Sequence, residues 1–207
     1  MTVKREEKNQ MTRRRIMDSA LAEFAKQGYG ASSVNTICAA QGISKGIIYH
    51  YFKTKDDLYL ACVEECFQLL TRHIQSCIAG EHESAEKQLE QYFEVRMVFF
   101  QEHPVYQPIF CEAVVSPPAH LKGEIQAKKQ VFDTLNADIL EQILQPLPLR
   151  PYITKADVVE TFRQFQDFIN AKYQTAHMNA SDFEMRDESC RKALNILLYG
   201  VIDRKEL

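Results

Sequence analysis

Tryptophan is absent from the 207-residue chain, and glycine and proline are scarce at seven each. Little turn chemistry for that length argues against many short strands and favours long helices. No apolar run reaches the about 18 residues that a membrane-spanning helix needs. The first fifteen residues, MTVKREEKNQMTRRR, lack the apolar stretch of a secretory signal, so a cytoplasmic location is expected. The six cysteines fall at irregular spacings and read as reduced, mostly buried thiols rather than a disulfide framework. A Gly-rich phosphate loop, GxSxG and HExxH are all missing, so neither an enzyme nor a cofactor is expected.

What is present is unevenly placed. The net charge of -3 hides a basic first quarter: residues 1–55 carry ten lysines and arginines against four acids. A basic end on an acidic body fits a chain that meets a polyanion at one end only. All seven prolines lie between Pro104 and Pro151, and four of the seven glycines between Gly28 and Gly46. The first quarter therefore reads as short helices joined by glycine turns, followed by longer ones.

Apolar periodicity predicts about nine helices and no strand. Ile16, Ala20, Leu21, Phe24 and Ala25 mark a first helix over Thr12–Gln27, stopped by Gly28. Ser33 caps a second that ends before Gly42, and Ser44 caps a third, KGIIYHYF. Thr54 opens a long fourth helix to about Ile78. A fifth runs from about Ser84 to Gln101, with Leu89, Tyr92, Phe93, Met97 and Phe100 as its apolar face. A short sixth follows Pro104, and a seventh spans about Pro118 to Leu144. The eighth runs from Thr154 to about His177, and Ser181 with Glu184 forms a capping box for the ninth.

Two short helices with a tight glycine turn over residues 33–52 form a helix-turn-helix, whose second helix enters the major groove of DNA. That helix carries Lys45, Tyr49, His50 and Tyr51, which reach phosphates and base edges, and Gly46 allows close backbone approach. Lys55 falls at the start of the fourth helix, where helix N-termini favour phosphate.

These residues resemble the TetR family of bacterial transcriptional regulators. The likeness runs through Phe24-Ala25-Lys26-Gln27-Gly28-Tyr29, then Ser33-Val34 and Ile37, then the unbroken stretch from Gly42 to Leu58. It covers about residues 10–70. Cys38 and Gln41 stand where the family usually has alanine, and Ile47 where it usually has threonine. An apolar side chain at Ile47 suits a thymine methyl.

The resemblance implies an all-α chain with a DNA-binding domain over residues 10–55 and an effector-binding and dimerisation domain over 56–207. It implies that Ser33 contacts a phosphate, that Lys45, Gly46 and Ile47 face bases, and that Tyr49, Tyr51 and Lys55 clamp the backbone, with His50 adjacent. The partners expected are a double-stranded operator, a second copy of the chain and a small molecule, with no membrane.

Apolar residues on two sides of the eighth and ninth helices support dimerisation there, through Phe162, Phe168, Leu194, Leu197, Leu198 and Val201. Arg96 falls in the middle of the fifth helix's apolar face, where a charge is costly without a partner. Two readings stand. Arg96 pairs with an internal acid such as Glu65 or Glu112, or snorkels to the surface. Alternatively, with His73 and the aromatic and sulfur side chains Phe93, Met97, Phe100 and Phe110, it holds the anionic end of an apolar effector. A second regulatory reading uses Cys62, Cys66 and His73, on one side of the fourth helix, as a thiol or metal switch. Small thiols lining a helix core are its simpler explanation.

Overall fold

The computed structural model describes residues 2–78, 84–173 and 180–201. Among them the chain is all-α, with no β-strand. The helices are α1 (Thr2–Ala31), α2 (Val34–Gln41), α3 (Lys45–Tyr51), α4 (Lys55–Cys77), α5 (Ala85–Glu102), α6 (Tyr106–Val115), α7 (Lys122–Leu144), α8 (Lys155–Tyr173) and α9 (Ala180–Val201). A single 3-10 turn, Ala119–Leu121, precedes α7 where the expected seventh helix was to start at Pro118.

The chain forms two compact units: residues 1–68 with 103–129, and residues 69–102 with 130–207. This grouping differs from a division at residue 55, because α6 and the first half of α4 pack with the N-terminal helices.

In the first unit, α1 buries Ile16, Met17, Ala20, Leu21 and Phe24, all at 3% exposure or less. That spacing is one helical stripe, so the face must be covered. Ile37 of α2, Ile48 of α3, and Leu58, Tyr59, Cys62 and Val63 of α4 are buried with it. Phe24 meets the edge of Tyr59 with ring centroids 5.1 Å apart. Gly28 breaks α1, as expected, at φ 70 and ψ 170, but helix resumes to Ala31. At the other end α1 starts at Thr2, ten residues before the expected Thr12. Polar residues there carry no apolar period, so the helix was invisible to periodicity.

The second unit is built on α5, α7, α8 and α9. Its α5 buries Leu89, Tyr92, Phe93, Arg96, Phe99 and Phe100. Arg96 therefore lies on the buried face, whereas Met97 is half-buried at its edge and Phe99 takes the place expected for it. Phe100 packs edge-on against Phe183 of α9 at 5.1 Å. Thr154 and Asp157 cap α8 reciprocally, the backbone N–H of each donating to the other's side chain at 2.9 and 3.2 Å. The expected continuation of α8 to His177 lies outside the described residues. Ser181 is not the cap of α9: the helix already includes Ala180, so Ser181 sits within its first turn. No helix among the described residues is long and apolar enough to cross a membrane.

Candidate nucleic-acid interface

Ser33 and Ser44 set the geometry of the helix-turn-helix. The Ser33 hydroxyl oxygen accepts the N–H of Asn35 at 3.1 Å, which starts α2. The Ser44 hydroxyl accepts the N–H of Ile47 at 3.4 Å, which starts α3. Between them Gly42 ends α2 at φ 62, a left-handed conformation that disfavours other residues. Its N–H returns to the Ala39 carbonyl at 3.4 Å, and the next N–H, of Ile43, to the Cys38 carbonyl at 2.9 Å. The buried Ser19 hydroxyl donates to the Ile37 carbonyl at 2.7 Å and pins α2 to α1.

This frame fixes which side of α3 is free. Ile48 at 1% and Phe52 at 5% exposure hold the helix down. Lys45, Gly46, Ile47, Tyr49 and His50 are all exposed. Ile47 and Tyr49 keep 42% and 47% of their surface in solvent. A cation, two apolar surfaces and a bare backbone at Gly46 together match a major-groove reading face. The Ser33 hydroxyl oxygen accepts in the cap, which leaves its proton available to donate.

Two of the expected backbone clamps are used differently. Tyr51 is half-buried, and its hydroxyl donates to the Asn9 side chain, with the Asn9 carbonyl oxygen at 3.3 Å. A phenol has one proton to donate and a phosphate oxygen only accepts. Tyr51 therefore ties α3 to α1. Lys55 directs its ammonium inward, to the Ser32 carbonyl at 2.8 Å and over the Tyr29 ring at 4.4 Å. It braces the chain where α1 hands over to α2.

Sequence reasoning missed the node beside Lys55. Glu112 of α6 accepts the Tyr29 N–H at 2.9 Å and the Tyr59 hydroxyl at 2.9 Å. Burial raises the Glu112 carboxyl above its usual range despite those hydrogen bonds and nearby Lys55. Tyr29 in turn donates its hydroxyl to Asp56 at 2.5 Å, with His120 Nε2 at 3.2 Å. Burial and Asp56 push the Tyr29 phenol up to about 12. Only the FAKQGY motif hinted that Tyr29 mattered.

The expected effector residues fall in both compact units. Phe110 belongs to the first unit, packed against Phe67 at 5.7 Å. The others lie in the second. Arg96 is 3% exposed, and its guanidinium pairs with Asp187 of α9 at 3.2 Å and lies 5.4 Å from the Tyr92 ring centroid. Burial alone would lower its pKa, but Asp187 and Tyr92 outweigh it, so Arg96 stays charged. An internal acid does meet Arg96, but it is Asp187 rather than Glu65 or Glu112. Those two serve the first unit, Glu65 accepting from Tyr106 and Arg14 at 2.5 and 2.7 Å. Phe93 and Met97 line a cavity of about 470 Å³ together with Glu90, Glu94, Glu184 and Glu188. His73 packs on Phe99 at 5.5 Å, with its Nε2 3.9 Å from the Cys77 sulfur.

The cysteine reading fares no better. Cys62 and Cys66 are fully buried, and burial raises both thiols, which keeps them protonated. No group of three or more His, Cys, Asp or Glu side chains among the described residues is arranged to hold a metal.

The residues expected at the dimer interface divide by burial. Phe162, Leu194, Leu198 and Val201 are buried within the subunit at 9% exposure or less, and Leu197 is half-buried. Among the described residues, the exposed large apolar side chains of α8 and α9 are Phe165, Phe168, Met185, Ile196 and Tyr199. Phe168 is the one expected interface residue that stands clear, at 70%. Apolar residues on both sides of a helix do not reveal which side faces its own core.

A helix-turn-helix with an exposed basic and aromatic recognition helix, ahead of further helices, defines a DNA-binding class. The family described as bacterial regulatory proteins, tetR family, matches at residues 16–62. Over that segment the chain is similar to the TetR family. It is 41% identical over 59 residues to the HTH-type transcriptional regulator AcrR of Shigella flexneri, covering 28% of this chain and 27% of that protein. It is 42% identical over 53 residues to the HTH-type transcriptional repressor Rv1474c of Mycobacterium tuberculosis, covering 26% and 28%. The aligned segment thus spans little more than a quarter of these relatives. The whole fold is similar to FadR from Bacillus subtilis in complex with stearoyl-CoA: TM-score 0.63 at 18% identity, over 89% of this chain and 95% of that one.

Proposed function

We propose that the chain is a transcriptional regulator that binds DNA as a homodimer in the cytoplasm. In this reading it is a repressor that leaves a pseudo-palindromic operator when a small molecule binds. Residues 10–55 carry DNA recognition and residues 56–207 carry dimerisation and the effector response. The observation that carries the reading is the exposed set Lys45, Gly46, Ile47, Tyr49 and His50 on α3, held outward by buried Ile48 and Phe52. Ser33 adds a hydroxyl donor at the start of α2.

Repression is supported by the description of the Mycobacterium relative, and a small-molecule response by the stearoyl-CoA held in the Bacillus structure. Arg96 gives no support to an anionic end on the effector, since Asp187 already neutralises it. The thiol- or metal-responsive alternative has the weaker case, because Cys62 and Cys66 are buried and protonated. The dimer in this proposal uses the exposed face of Phe165, Phe168, Ile196 and Tyr199.

Selection from a random duplex library tests the reading. Wild-type protein should enrich a pseudo-palindrome, and Lys45→Ala with Tyr49→Ala should abolish the enrichment while the protein stays folded. Enrichment of no sequence, or of the same sequence by the variant, would overturn it.

A further inference from the structure

The family match begins at residue 16, but α1 begins at Thr2. The turns before residue 16 are tied to the recognition helix. Tyr51, the last residue of α3, donates its hydroxyl to Asn9. That hydrogen bond gives the leading turns of α1 a fixed place beside the helix that reads DNA.

The basic residues of this stretch whose side chains are described divide into two groups. Three are used internally. Arg13 lies 5.3 Å from the Phe52 ring centroid. Arg14 pairs with Asp18 at 2.6 Å and Glu65 at 2.7 Å. Arg15 donates to the Gln41 carbonyl at 2.9 Å. Arg5 and Lys8 are exposed, and neither has an ion-pair partner among the described residues. Helical geometry then sets their directions. Arg5 is four residues before Asn9, so it shares the tethered face one turn further out, at about 1.5 Å of rise per residue. Lys8 flanks that face at about 100° from Asn9. Glu7 points to the opposite side, and Glu6 lies about 60° from Asn9 on the flank away from Lys8, so both acids stand off the side shared by Arg5 and Lys8.

We propose that residues 5–12 of α1 form a second DNA-binding element, which sets Arg5 and Lys8 against operator phosphates flanking the groove entered by α3. The inference rests on the DNA-binding reading above. Its grounds are charge complementarity and continuity with the α3 surface through Tyr51 and Asn9. The occupant is the phosphate backbone, so the arm adds affinity and footprint but no base preference.

The test uses the full chain and the duplex selected for wild-type protein, titrated at several salt concentrations. Arg5→Ala combined with Lys8→Ala should weaken binding to the operator and to unrelated duplex alike. It should also flatten the dependence of log K on log salt by about 0.9 for each phosphate that is no longer neutralised. Trimming the flanking base pairs should weaken wild-type protein and leave the double variant unaffected. Lys26→Ala, an exposed cation near the far end of α1, should change none of these. A double variant with wild-type slope and wild-type sensitivity to trimming would overturn the proposal while leaving the function of α3 intact. An equal loss of slope in Lys26→Ala would reduce the effect to overall charge and overturn it too. If wild-type protein selects no duplex, the DNA-binding reading itself fails, which is a different result.

Discussion

Glu112 receives the backbone N–H of Tyr29 through both carboxylate oxygens, at 2.9 and 3.1 Å, at the point where Gly28 breaks α1. The break turns that N–H out of the helix ladder, and the half-buried Glu112 carboxylate on α6 takes it. Burial raises the Glu112 pKa above the ordinary 4.5. A raised carboxyl pKa means that the folded state holds a proton the unfolded state has released. Its stabilising share is full below the ordinary value and is lost as pH rises through the raised one. Glu112→Gln does not titrate. Chemical denaturation from pH 4.5 upward should therefore show wild-type stability falling relative to Glu112→Gln as pH increases. Parallel profiles would show that Glu112 does not titrate differently in the fold.

Gly28→Ala tests the break itself. The residue sits at φ 70, and a Cβ there would lie 3.2 Å from Glu112 Oε1. Left-handed strain in a non-glycine residue costs about 1–3 kcal/mol. A thermal melt should show that loss, and an unchanged melt would mean that the kink relaxes freely.

Lys55 separates bracing from DNA binding. Lys55→Ala removes the hydrogen bond to Ser32 and the cation from over the Tyr29 ring. Hydrogen bonds to charged groups contribute about 1.5–3 kcal/mol, so an equilibrium unfolding curve should register a loss toward the lower end at this half-buried site. The salt slope of DNA binding should hold. A stable variant with a slope flatter by about 0.9 would return Lys55 to the phosphate role read from sequence.

The two faces of α8 and α9 predict opposite outcomes. Phe168→Asp with Ile196→Asp alters side chains that are 70% and 72% exposed. Sedimentation should find a folded monomer. Leu198→Asp places a charge at a site 4% exposed and should unfold the chain instead. A double variant that remains dimeric would move the interface elsewhere.

Arg96 and Asp187 should behave as a pair. Arg96→Met removes the nearer of the two guanidiniums beside the buried Asp187 carboxylate and leaves Arg186 at 3.9 Å, so the loss should fall below the about 3–5 kcal/mol of a fully stranded buried charge. Adding Asp187→Leu should recover much of the loss, as measured by a double-mutant cycle in denaturant. Additive losses would show that the two side chains are not coupled.

The helix-turn-helix was legible because its signals are local. Ser33, Gly42 and Ser44 act within four residues of themselves, and the apolar period of α1 needs no partner to be seen. Arg96 was also visible as a charge on an apolar stripe, but its partner lies ninety-one positions away on α9, beyond any local pattern. A similar separation in sequence hid Glu112 from Tyr29. Tyr51 and Lys55 were given DNA roles by type and position, while their hydroxyl and ammonium found nearer acceptors at Asn9 and Ser32. Helices α8 and α9 showed apolar residues on two sides, and only packing distinguished buried Leu198 from exposed Ile196.

The central claim is that α3 reads a major groove, twice, in a symmetric dimer. Methylation protection and hydroxyl-radical footprinting on the selected duplex test it most directly. The expected result is two protected major-groove patches with centres one helical turn, about 34–36 Å, or a multiple of that apart. Lys45→Ala with Tyr49→Ala should erase both patches. A single patch, protection confined to the minor groove, or a footprint that survives loss of Lys45 and Tyr49 would contradict it.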